Sequence, residues 1–321
     1  MAPLPTGRNG ETLFTTPENL LKVLRQVSEI GLLAIGESLV ILSGGIDLSV
    51  GSVLGASSMT AGVLLVDHSA GAPVAILGAL ATGLFFGLLN GGLVVWLRLQ
   101  PFVATLATFG AARGAARLVK DNASIGLDDS QSGFLALGRS FREVAATVRG
   151  EPLAGDGRSL ADFATVPAAL FLGIGILAAL VLARTTFGRG ILAIGGNAEA
   201  ARLAGLPVPR HRLLVYALCG LLAGLAGAVH CAQLEQANPV DGEGYELRAI
   251  AAVAIGGTLL TGGRGRPPTI AGVLTLGILG SILGLRNVRA ETQLILIAAI
   301  LVAAVKLPDL LIALAARRRP R

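Results

Sequence analysis

Charged side chains are scarce in this sequence: Asp, Glu, Lys and Arg make up 14% of 321 residues, where a soluble domain carries roughly a quarter. Aromatic residues are only 4%, and apolar residues reach 53%, with a mean hydropathy of +0.72. So little charge excludes an ordinary soluble globule and assigns the chain to the integral membrane proteins. The apolar segments recur along the whole length, which excludes a secretory signal peptide followed by a soluble remainder. Cysteine is nearly absent. Cys219 and Cys231 lie in one apolar segment, and as helix they stand about 18 Å apart, too far for a disulfide, so they read as small packing residues. Lysine is scarce too: Lys22, Lys120 and Lys306 follow Leu, Val and Val, so no Gly-Lys-Ser/Thr phosphate loop exists and ATP cannot be hydrolysed by this chain alone. An HExxH pair, a Cys/His cluster and a GxSxG elbow are also missing, so neither a metal nor a bound cofactor is expected. The formal charge of +6 sits in arginines beside apolar spans, and with so few aromatics it reflects membrane topology rather than nucleic-acid binding.

What is present is a series of apolar segments near 27–43, 49–67, 73–97, 101–119, 165–183, 213–233, 246–261, 268–285 and 293–311, each about the length of a span. They are uniformly apolar and rich in Leu, Ala and Gly, without the alternation of a barrel strand. The expected fold is an all-α polytopic bundle of about nine spans, one transmembrane domain over residues 1–321, with broken helices near its centre. Arginine in the 184–212 loop (Arg184, Arg189, Arg202, Arg210, Arg212) and in the "ARRRPR" tail places both on the cytoplasmic side. The polar, turn-rich segment 120–164 and the acidic "LEQANPVDGEGYE" then fall outside, 120–164 being too poor in apolar residues for a core of its own. The arginines of "RNVRAE" also land outside, against the trend.

The stretch "SGGIDLSVGS" breaks an apolar helix with Gly44, Gly45, Asp47, Ser49 and Ser52. Irregular backbone at membrane depth is tolerated only where protein or a water-filled cavity covers it, so the break points to a polar pathway. A second interruption, "IGGTLLTGGRGRPP" at 255–268, again precedes an apolar helix, and paired breaks in two halves of a transporter mark its central site. The plainer alternative is that the glycines allow close packing and Asp47 caps the helix starting near Ser49. Glu37, inside the first span, is costly unless paired or wet, and should face inward, toward a neighbouring helix or toward passing hydroxyls. Glu37, Gly44, Gly45, Asp47, Ser49 and Asn90 are the candidate pathway residues. His68, His211 and His230 are scattered and read as structural or solvated.

Three segments in order, "GGIDLSVGS", "TTFGRGILAIGGNAEAARLAGLPV" and "GYELRAIAAVAIGGTLLTGGRG", resemble the permease subunit of ribose-type ABC sugar importers, and the resemblance runs from about Thr12 to the end. It implies a helical permease of about ten spans in the bacterial cytoplasmic membrane. It also implies a second permease copy, two cytoplasmic ATP-binding cassette subunits that use the ATP, and an extracytoplasmic binding protein that delivers a monosaccharide. In the cytoplasmic loop, Asn197 is placed to cap a short helix with Glu199 at its positive end, stopped by Gly205 and Pro207. By resemblance to the EAA loop, Arg189, Asn197, Glu199, Ala200, Ala201, Arg202 and Gly205 are the docking candidates for the ATPase. The match starts one helix late, which leaves either an internal start or nine spans. Arg248 stands where the family often has an acid. Two other functions compete: an ion-coupled secondary carrier, which would not need a docking loop, and an intramembrane hydrolase using Ser57 or Ser58 with His230.

Overall fold

A computed structural model describes residues 17–149, 164–263 and 270–289, with part of 292–303. Twelve helices and one two-stranded ladder are named here among the described residues. Helix α1 runs Pro17–Leu42, starting at a proline whose missing N–H costs nothing in a first turn. Then come α2 Val50–Val66, α3 Ala72–Val95 and α4 Pro101–Leu118, the last two again with proline in the first turn. The segment after α4 holds strand β1 Ile125–Gly126 and the short helices α5 Ser132–Leu135 and α6 Phe141–Arg149. Helix α7 Val166–Arg184 is capped by Thr165, whose hydroxyl accepts from Ala168 N–H at 3.4 Å. Next are α8 Thr186–Gly196, α9 Ala198–Leu203 and α10 Val208–Leu234. Strand β2 Gln236–Ala237 leads to α11 Tyr245–Ile255 and α12 Ile270–Leu285.

Three of these helices, α3, α7 and α10, are both long and apolar enough to cross a membrane. Seven of the nine expected spans coincide with helices among the described residues, and the ninth, 293–311, lies largely outside them. One expectation is corrected. The apolar run 246–261 is not one helix: α11 stops at Ile255, and Gly257, Gly262 and Gly263 take positive φ of 89°, 84° and 69°. Eleven helical residues reach only about 16 Å, half a bilayer core.

A glycine-lined seam joins α3 to α10. Gly83, Gly87 and Gly91 recur every fourth residue and so share one face. A Cβ at Gly83 would stand 2.7 Å from the Gly224 Cα, and one at Gly87 3.0 Å from the Gly220 Cα. The two backbones touch because neither side has a side chain there, the packing mode available to helices in lipid. Cys219 and Cys231 are buried and free, as their spacing requires.

The two segments expected outside meet at one end of the bundle, where Ile125 pairs with Ala237 and Gly126 with Gln236. Phe134 and Leu135 of α5 are buried. The acidic 235–244 loop is not simply solvated. Its Ala237 abuts Gly62 of α2, Asp241 abuts Gly55, and Gly242, with φ 71°, abuts Gly51, so the loop runs down α2 and α11 starts within the bundle.

Candidate functional site

The break after α1 is a buried polar cluster. Asp47 is 1% exposed, and its Oδ1 accepts from Ser49 N–H at 2.8 Å and from Ser49 Oγ at 2.6 Å. Asn90 of α3 donates from Nδ2 to Asp47 Oδ2 at 3.2 Å and to Ser49 Oγ at 2.8 Å. The hydroxyl of Thr108 on α4 donates to Asn90 Oδ1, and Thr105 donates to the Ile46 carbonyl at 3.3 Å. Asp47 therefore forms an Asx turn two residues ahead of the N-cap position, which is Ser49 and makes no side-chain cap bond. Glu37, fully buried, accepts Asp47 N–H through Oε1 at 3.1 Å. Its other oxygen, Oε2, has no partner among the described residues, and neither has the hydroxyl of Tyr216 on α10, against which a Cβ at Gly45 would press at 2.5 Å. Glu37 faces inward, as its cost in lipid demands, but it serves the broken backbone rather than a side chain of another helix.

The second break converges on the first. Gly263 N–H donates to the Leu42 carbonyl at 3.1 Å, and a Cβ at Gly262 would stand 2.9 Å from the Gly44 Cα. Gly195, near the end of α8, fits the same junction, with a Cβ there only 2.5 Å from Gly263 N. Two residues after Gly196, with Asn197 as its cap, begins the short helix α9. Asn197 Oδ1 accepts from Ala200 N–H at 2.9 Å, Gly205 turns the chain away with φ 84°, and Arg202 forks onto Glu199 at 3.0 and 2.6 Å. Those hydrogen bonds, and then the charge of Arg202, hold the Glu199 carboxyl below the usual range. The pair is therefore intact at neutral pH and is lost only as pH falls through that lowered value. Ala201 is buried against Ile194 and Val208 and seats the helix, while Arg189, Glu199, Ala200 and Arg202 are exposed.

The sequence matches the family described as "Branched-chain amino acid transport system / permease component" over residues 19–305. The chain belongs to this permease family. It is 40% identical over 295 residues to the ribose import permease protein RbsC of Escherichia coli K12, an alignment covering 91% of this chain and 86% of that one. RbsC of Bacillus subtilis is 39% identical, covering 92% and 85%, and the L-arabinose transport system permease protein AraH of E. coli K12 is 33% identical, covering 91% and 83%.

In this permease, Asp47, Ser49, Asn90 and Glu37 come together as one buried group, with Gly44 and Gly45 beside it. Sequence reasoning passed over Tyr216, Thr105 and Thr108, and over Leu203 of α9, which is 75% exposed. A hydroxyl or phenol inside an apolar run was the available signal. His230 lies away from the break. Its Nδ1 is 2.6 Å from Glu29 Oε2 and its Nε2 3.3 Å from Asp241 Oδ1, tying α1 and α10 to the 235–244 loop. Ser58 Oγ donates to Asp241 Oδ2 at 2.9 Å, so a carboxylate stands between that serine and the imidazole. The Ser57 hydroxyl has no partner among the described residues. This geometry lacks the nucleophile–base contact of a hydrolase.

Proposed function

We propose that this permease is the transport subunit of an ATP-driven importer in a bacterial cytoplasmic membrane and that its cargo is a monosaccharide. The ribose and arabinose import named for its relatives supports the cargo class. The working unit pairs it with a second permease copy, two cytoplasmic ATP-binding cassette subunits and an extracytoplasmic sugar-binding protein; the chain itself neither binds nor hydrolyses ATP. The observation that carries this reading is α9: a capped, ion-paired helix presenting Glu199, Arg202 and Leu203 to solvent, with Arg189 exposed on α8 beside it, two residues after the glycine junction where both helix breaks meet. A rigid exposed helix joined to the breaks can pass the movement of an attached ATPase to the path. The Glu37, Asp47, Ser49 and Asn90 cluster, with Gly44 and Gly45, then lies beside the path and holds the break in a closed arrangement.

Uptake of labelled ribose and arabinose into vesicles carrying the permease, its ATPase and its binding protein tests this reading. Uptake should require an ATPase with an intact phosphate loop. Uptake that persists with a hydrolysis-dead ATPase would instead make the chain a secondary carrier.

A further inference from the structure

Beside the start of α11 lies a cavity of about 140 Å³ between α1, α11 and α12, distinct from the buried cluster at the break. Its polar lining comes from Gln26, Tyr245, Arg248 and Gln293; on the α12 wall Gly277 packs against Val27, whereas Gly280 faces open space. A cavity of about 150 Å³ accommodates a benzene ring, so this one is on the scale of a single sugar ring. Its chemistry is that of a hydroxyl-binding site. Arg248 Nε is buried with no acceptor among the described residues, an expensive condition unless a ligand or water supplies one. The guanidinium is positioned over the Tyr245 ring, 5.6 Å from its centroid, and Tyr245 is packed edge-on against His230. Gln293 spends its amide N–H on the Val288 carbonyl at 2.9 Å, which leaves its oxygen as an acceptor. An oriented donor and a free acceptor around one ring-sized space match the neighbouring hydroxyls of a sugar, each of which donates and accepts.

The backbone around the cavity fits the same use. The 235–244 loop is carried down α2, and α11 is a half-length helix that begins within the bundle, an arrangement tolerated where it lines a cavity.

We infer that this cavity is a monosaccharide-binding station on the import path, with Arg248 donating to ring hydroxyls, Gln293 accepting from them and Tyr245 orienting the guanidinium. The inference rests on the importer reading above and adds the residues that meet the sugar.

The test uses the complete transporter in vesicles, with Cys219→Ala and Cys231→Ala removing the native thiols. Gly280→Cys then places a thiol in the cavity wall, at a position where a Cβ meets no atom within 4 Å. Ribose or arabinose, whichever the vesicles accumulate, should slow labelling of this thiol by a methanethiosulfonate reagent. Arg248→Met should raise the sugar concentration needed for half-protection at least about tenfold without changing assembly or labelling in the absence of sugar. Gln293→Leu should act in the same direction and serves if Arg248→Met assembles poorly. Vesicles that accumulate the sugar while labelling stays unprotected, or protection unaltered by both substitutions, would overturn the cavity's role and leave the importer reading standing. A thiol that never labels would overturn it too. Absence of all sugar uptake would overturn both.

Discussion

Asp47 shows what one side chain decides in this permease. It receives hydrogen bonds from Ser49 N–H, Ser49 Oγ and Asn90 Nδ2, all of them donors. Asp47→Asn would turn an amide nitrogen toward donors and leave at least one unpaired in a buried place, a loss of roughly 1–3 kcal/mol. Glu37→Gln keeps an acceptor for Asp47 N–H and should be almost neutral for folding. The thermal midpoints of the two purified variants check this: Asp47→Asn should melt clearly lower, and equal midpoints would contradict the network described. Asp47 and Glu37 were legible in the sequence because an acid inside an apolar run is conspicuous. Asn90 and Ser49 were named beside them, but the pairing itself was not legible. Asn90 lies 43 positions from Asp47, and such pairings are set by how helices pack, which local pattern does not encode. The Glu29, His230 and Asp241 group escaped for the same reason. Asn197 was readable because its cap bond spans three residues.

At the scale of elements, glycine does two different jobs. Along the α3–α10 seam it removes side chains so that backbones meet, and at the helix breaks it supplies positive φ. Gly83→Val would push a side chain into the Gly220 carbonyl and the Gly224 Cα, costing at least about 1–3 kcal/mol, and should sharply lower the yield of folded protein. Gly110→Ala on α4 meets no atom within 4 Å and should be silent. Size-exclusion profiles of the detergent extracts compare the pair, and a normal profile for Gly83→Val would refute the close seam. Gly195→Ala is the corresponding probe of the junction between the breaks and α9, where its Cβ would meet the Leu42 carbonyl. It should reduce sugar uptake per assembled complex, measured in vesicles, while ATPase co-purification is retained. Hydropathy placed the starts of α2, α3, α4 and α7 closely, but α1 and α10 begin at Pro17 and Val208, ahead of the apolar runs expected from 27 and 213. The end of α11 was missed because hydropathy continues through "AVAIGGTLL", while the backbone turns at Gly257. The two-residue ladder between β1 and β2 is too short and too distant in sequence to leave a pattern.

Across the whole molecule, the polar features are sorted by end. The β1–β2 ladder, α5 and the His230 group gather at one end of α10, and α8, α9 and the meeting point of the two breaks gather toward the other. Arginine placement in the sequence assigned the second end to the cytoplasm, and α9 is the element there that is both rigid and exposed. The proposed seat of the ATPase is α9, and Leu203, exposed at its end, reports on that contact. With Cys219→Ala and Cys231→Ala as background, Leu203→Cys should crosslink to the co-expressed ATPase through a short bifunctional reagent in inverted vesicles. The same thiol should resist a membrane-impermeant reagent added to intact cells. Labelling from outside the cell, or no adduct in complexes that still import sugar, would contradict the claim.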